Sequence, residues 1–137
     1  MQRMFKRSFD SLAEILVFTD EFFCQQPADP ATRYAVDLAI DELFSNMVKY
    51  NSHSPADIGV TFARNGATVS VTLIDYESEP FDITKARPVD INLPAQDRAI
   101  GGLGIHLVHR MVDSLRFDHS AGVSTIEFTK TTGKYNV

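Results

Sequence analysis

Apolar positions follow two different rhythms along this chain. Leu12, Ile15, Leu16, Phe22 and Phe23, with Thr19 on the same line, recur at helical spacing. Just ahead of them, Ser11-Leu12-Ala13-Glu14 reads as a capping box, in which Ser and Glu three apart satisfy each other's orphan amides. The pattern predicts a helix that stops before Gln26-Pro27, with a short strand over Met4–Phe9 in front of it. Asp29-Pro30 restarts a helix, Asp as the cap and Pro at the first helical position. That helix is expected to run to about Asn51, because Val36, Ile40, Leu43, Met47 and Tyr50 step by 4, 3, 4 and 3 and form one apolar stripe.

The rhythm then changes to alternation. Ile58, Val60 and Phe62 alternate along one run, as do Val69, Val71 and Leu73 along another, and Asn65-Gly66 lies between them. Asn-Gly between alternating runs is the strongest short hairpin signal, so 57–64 and 67–75 are predicted to pair antiparallel. Residues 76–100 hold three prolines and little periodicity. A connection of that length in a compact domain is usually functional or mobile. Leu103 to about Asp113 is predicted helical and is entered directly from Gly101-Gly102-Leu103-Gly104. Leu115 and Phe117, then Val123, Ile126 and Phe128, predict a last hairpin turning near Ser120–Gly122. Separated helices and antiparallel strands point to an α+β fold, with helices on one face of a mixed, mostly antiparallel sheet.

Composition narrows the function classes. The 137 residues suit one domain, 1–137, with 44% hydrophobic and 23% charged residues and a net charge of −5. An acidic chain without a long Lys/Arg run is a poor nucleic-acid binder. No apolar stretch approaches the ~20 residues needed to cross a bilayer. The basic start is not followed by a signal-peptide apolar run, so a cytoplasmic protein is expected. The single cysteine, Cys24, excludes an internal disulfide and reads as core beside Phe22-Phe23.

Three groups of residues could carry chemistry. Three of the seven glycines fall in 101–104, at a predicted helix start. Glycines let a backbone approach a phosphate, and a helix N-terminus offers free N–H groups and partial positive charge. A ligand-free tight turn suits the same residues. Glu42 and Asn46 are four apart and share a helix face, roughly 100° from the apolar stripe. Such a pair could hold a hard cation or position a nucleophile, with Lys49 as a neighbouring cation; a solvated face is the plain alternative. Asp75-Tyr76-Glu77-Ser78-Glu79-Pro80-Phe81-Asp82 ends a predicted strand with four acids in eight residues, either a hydrogen-bond acceptor for a base or a solvated turn. His53, His106, His109 and His119 show no metal spacing with carboxylates, and no Ser/His/Asp arrangement can be assembled.

The combination says more than the parts. Glu42-Leu43-Phe44-Ser45-Asn46-Met47-Val48-Lys49-Tyr50 resembles the N-box of the histidine-kinase-like (Bergerat-type) ATPases. Pro80-Phe81-Asp82 resembles the end of their first glycine motif, and Ile100-Gly101-Gly102-Leu103-Gly104-Ile105-His106-Leu107-Val108 resembles their second. Chain length, order and spacing are most similar to the small stand-alone branch, the anti-sigma-factor serine/threonine kinases. The resemblance runs from about Phe9 to Lys130. It implies a two-layer α/β sandwich with ATP and magnesium between the helices and a lid, here 83–100. By position, Glu42 matches the general base for a serine hydroxyl, Asn46 the magnesium ligand, and Gly102 and Gly104 the phosphate cradle. Arg98 matches a basic lid position. Lys49, Asp75, Tyr76, Ser78, Phe81, Gly101, Leu103 and Ile105 complete the expected ATP contacts. The usual first motif is Asp-x-Gly-x-Pro-Phe-Asp, which puts Tyr76 in the adenine-binding Asp position and Ser78 in the glycine position. Asp75 serves instead if the strand end shifts by one residue. Losing that contact weakens nucleotide binding by about 1–3 kcal/mol, a factor of about 5–150.

The resemblance further implies an anti-sigma factor with two partners, a sigma factor and a small anti-anti-sigma (STAS-type) protein whose serine it phosphorylates, and homodimers in this branch. The competing expectation is a binding module that keeps the fold and has lost nucleotide use, on account of Tyr76 and Ser78. The ATP-binding half of a sensor histidine kinase fits less well, since the chain lacks the length for a dimerising helical hairpin.

Overall fold

The computed structural model describes residues 1–76 and 102–133. Its elements are β1 (Gln2–Phe5), α1 (Ser11–Gln25), α2 (Pro30–Tyr50), β2 (Ile58–Asn65), β3 (Thr68–Asp75), α3 (Gly102–Met111), β4 (Ser114–Ser120) and β5 (Val123–Thr131). The strands form one sheet in the order β1-β2-β3-β5-β4. Each of its pairings is antiparallel, where the pattern had allowed a mixed sheet. Two of them are tight hairpins, which force reversal, and the two helices between β1 and β2 return the chain in the opposite sense.

The turns follow from backbone chemistry. Gly66, first of the two residues between β2 and β3, has φ +61°, and Ala67 beside it is not at positive φ. That is the II′ pattern, which needs glycine first. The β4–β5 turn uses Ala121 and Gly122 at φ 53° and 79°, the I′ pattern with positive φ at both.

Alternation places one face of the sheet against the helices. Val60, Leu73 and Ile126 share a row in register, as do Phe62, Val71 and Phe128. All are buried. Ile15, Phe18, Phe22 and Phe23 of α1 and Val36, Ile40, Leu43 and Met47 of α2 complete the same cluster. Phe62 is its aromatic centre, with ring centroids 5.3 Å from Phe18 and 4.9 Å from Phe22.

Several local expectations are corrected. Ser11 and Glu14 do not form a capping box: Asp10 is the cap residue, without a side-chain hydrogen bond, and Ser11 is already helical. Ser11 Oγ instead donates to the Lys6 carbonyl at 2.8 Å. The first strand is Gln2–Phe5 rather than Met4–Phe9, because pairing with β2 ends at Phe5↔Ile58 and the chain then turns. Cys24 is exposed rather than core, and Leu16 and Tyr50 are exposed too. The buried line of α1 is Ile15, Phe18, Thr19, Phe22 and Phe23, and both Leu16 and Cys24 lie off it. Asp29 does cap α2, accepting from the Thr32 amide at 2.9 Å. No helix among the described residues is long and apolar enough to cross a membrane.

Two stability outcomes are expected. Phe62→Ala leaves a cavity at the aromatic centre and costs about 3–5 kcal/mol in denaturant unfolding. Ala121→Asn relieves the left-handed strain that a non-glycine residue bears there and raises stability by about 1 kcal/mol, read as an upward shift of the thermal midpoint.

Candidate functional site

The helical repeat puts Glu42 and Asn46 one turn apart on α2, and α3 supplies the opposite wall. The two helices meet closely. A Cβ built on Gly104 would lie 1.8 Å from Glu42 Oε2 and 2.2 Å from Cδ, so no larger residue coexists with this carboxylate position. What glycine provides here is close approach rather than an unusual φ: any side chain would displace the Glu42 carboxylate. Gly102 and Leu103 open α3, whose first turn therefore brings unpaired amides and partial positive charge beside Glu42.

Asn46 is not on a solvated face; it is 3% exposed. Its Nδ2 donates to the Glu42 carbonyl at 2.7 Å, which fixes the amide orientation. Its Oδ1 is buried and has no hydrogen-bond partner among the described residues. Leaving such an acceptor unpaired costs about 1–3 kcal/mol. An amide oxygen held this way, beside a carboxylate, is a suitable donor for a hard cation that takes oxygen ligands. Magnesium therefore fits this position on the structure's own terms.

Glu42 is half-buried. Burial pushes its carboxyl above the usual glutamate range, Asp41 adds to the rise, and Lys49 pulls the other way. A carboxylate with a raised pKa beside a helix N-terminus is a competent proton acceptor.

A second polar cluster lies where β3 stops. Asp75 is 2% exposed and continues the inward row of Val69, Val71 and Leu73, so the side chain points beneath the helices. Arg7 Nη2 donates to Asp75 Oδ1 at 2.5 Å and to the Tyr76 carbonyl at 3.2 Å. Arg7 Nη1 donates to the Met47 carbonyl at 3.3 Å, and Asn51 Nδ2 donates to Asp75 Oδ2 at 3.2 Å. Sequence reasoning missed Arg7 and Asn51. The available signal was Asp75 itself: an acid on the inward side of an alternating strand needs a cation or donors from elsewhere. Tyr76, the next residue, is half-buried.

Ile105 is packed in the core, and Lys49 is exposed. His53, His106 and His109 are exposed, and His119 Nδ1 lies 2.8 Å from Ser124 Oγ. Among the described residues no group of three His, Cys, Asp or Glu could hold a metal. Ser78, Phe81, Arg98 and Gly101 lie outside the described residues, together with Pro80-Phe81-Asp82 and the expected lid 83–100.

The sequence pattern of the histidine kinase-like ATPase domain matches residues 5–130. No curated protein matches the chain. Among solved structures, the fold is similar to the RsbU and RsbW domains of Rv1364c from Mycobacterium tuberculosis, with a TM-score of 0.70 and 17% identity over 96% of this chain. This chain spans about a third (32%) of that solved chain. It is also similar to a chain of the SiaB–SiaC complex from Pseudomonas aeruginosa, with a TM-score of 0.63 and 16% identity, covering 95% of this chain and 88% of that one. The Acinetobacter baumannii histidine kinase AdeS gives 0.57 and 10%, covering 98% of this chain and 68% of that one.

The electrostatics of Glu42 are directly measurable. Followed by NMR titration, Glu42 is expected to release its proton at higher pH than an ordinary glutamate. Lys49→Met removes the opposing cation and moves the midpoint further up; Asp41→Asn removes like charge and moves it down. Shifts in the reverse directions would contradict the arrangement.

Proposed function

The chain belongs to the histidine kinase-like ATPase domain family, and on that footing we propose that it is an anti-sigma factor with ATP-dependent serine kinase activity. Its phosphoacceptor in this reading is a serine of a small STAS-type anti-anti-sigma partner, and a sigma factor is the protein it holds and releases. Fold-level likeness to an RsbW domain and to a two-protein SiaB–SiaC complex supports regulation by partner exchange. A cytoplasmic location, a homodimer and a single domain spanning 1–137 belong to the same proposal.

The observation that carries the chemistry is the junction of Glu42, Asn46 and Gly104. Magnesium held at Asn46 Oδ1 would neutralise charge on the phosphates. Glu42 takes the proton of the incoming serine hydroxyl as its oxygen bonds to the γ-phosphorus and the bond to the ADP oxygen breaks. The first turn of α3, at Gly102 and Gly104, receives phosphate oxygens on backbone amides. By the same family resemblance, Lys49 and, outside the described residues, Arg98, Gly101, Ser78 and Phe81 are the further ATP contacts of this proposal. Phosphoryl transfer asks mainly for such positioning and charge neutralisation.

A second reading is favoured by one specific observation. Asp75 is already engaged by Arg7 and Asn51, which suits a sigma-regulatory binding module that has given up nucleotide. Calorimetry with ATP and ADP separates the two, since tight magnesium-dependent binding excludes the module.

Three outcomes are expected with ATP, magnesium and the partner protein. The wild type forms phosphoserine on the partner. Glu42→Ala and Gly104→Ala stay folded by circular dichroism but lose about 100-fold or more of the rate, the first by removing the base and the second by displacing it. The acid limb of the rate profile lies above the ordinary glutamate range, because activity disappears as pH falls through the raised Glu42 pKa. Absence of phosphoserine, with wild type and Glu42→Ala alike, would sink the kinase reading.

A further inference from the structure

We infer that Arg7 sets the base selectivity of the nucleotide site, by withdrawing Asp75 from the purine 6-position; this rests on the nucleotide-binding reading above. Asp75 is the acid that the strand end turns toward the helices, and so the acceptor available for an adenine amino group. Its carboxylate is not presented to a ligand. One oxygen is held by Arg7 at 2.5 Å and the other by Asn51 at 3.2 Å. The Arg7 and Asp75 side chains are each only 3% exposed.

Arg7 also ties three elements together. It reaches from the segment after β1 to the Met47 carbonyl of α2 and to the Tyr76 carbonyl past β3. Displacing it to free Asp75 would break all of these contacts and strand a buried guanidinium. A neutral amino donor returns only one hydrogen bond, so the exchange is unfavourable. Stability alone does not account for the cluster. Buried ion pairs are often no better than well-packed apolar residues, and Arg7 Nε is buried without a partner among the described residues. Tyr76, in the place where the family pattern has Asp, supplies no carboxylate to take over the role. The site therefore holds the polyphosphate and reads the base weakly.

Inosine triphosphate tests this, because it replaces the 6-amino donor with an oxygen acceptor and leaves the phosphates unchanged. Calorimetry of the full chain with magnesium and each nucleotide is expected to give dissociation constants within about threefold of each other. A preference for ATP of about tenfold or more would overturn the inference while leaving nucleotide binding intact. Binding of neither nucleotide removes the nucleotide site itself, and the inference with it. Arg7→Met releases Asp75 Oδ1 and is expected to raise the ATP/ITP preference by about fivefold or more. An unchanged ratio in a folded Arg7→Met overturns the role of Arg7. The wild-type ratio is decisive by itself where that variant does not fold.

Discussion

The inward placement of Asp75 depends on the period-2 alternation of β3, pinned in register between β2 and β5. Val69, Val71 and Leu73 must face the helices to bury their side chains, and the same alternation carries Asp75 inward with them. A slip of one residue would turn this row outward and Asp75 with it. The register is held by the apolar face as a whole, through Phe62 under Phe18 and Phe22 and through Phe128 and Ile126 on the far side. An inward acid at a strand end then creates a second requirement. It must be compensated by donors from other elements, and Arg7 and Asn51 fill that requirement. The hydrophobic order of the sheet thus fixes the polar chemistry at its end.

Between α2 and α3, spacing rather than charge is limiting. Where α3 meets α2, the missing Cβ of Gly104 leaves room for the Glu42 carboxyl, whose position a side chain there would displace. Asn46, pinned through Nδ2 to the Glu42 carbonyl, turns its Oδ1 into a buried position where it has no partner among the described residues, which costs stability. A raised carboxyl beside an acceptor with no partner among the described residues is the kind of local cost that accompanies a site in the proposed reading.

Sequence and structure agree wherever a local rule is sufficient. The turn at Gly66 requires positive φ, the Asp29 cap answers an orphan amide, and the apolar lines of α1 and α2 follow helical geometry. They part where a side chain has two uses. Ser11 could have capped its helix but bonds the Lys6 carbonyl, because the preceding turn starts the helix one residue sooner. Cys24 adjoins two core phenylalanines yet is exposed, since the helix rotates about 100° per residue and the neighbour of a buried position leaves the buried face.

By itself, then, the sequence determined the elements, the α+β class, and the residues Glu42, Asn46 and Gly101–Gly104 that resemble an ATPase site. Periodicity and turn chemistry are properties of neighbours along the chain, and a local string contains them. Tertiary structure decided what those residues meet. That Gly104 stands against Glu42, that Asn46 is buried rather than solvated, and that Arg7 closes on Asp75 from 68 positions away are contacts between distant segments. They arise only when the packed sheet face and the two helix lines are satisfied together, and no periodicity in the chain encodes them.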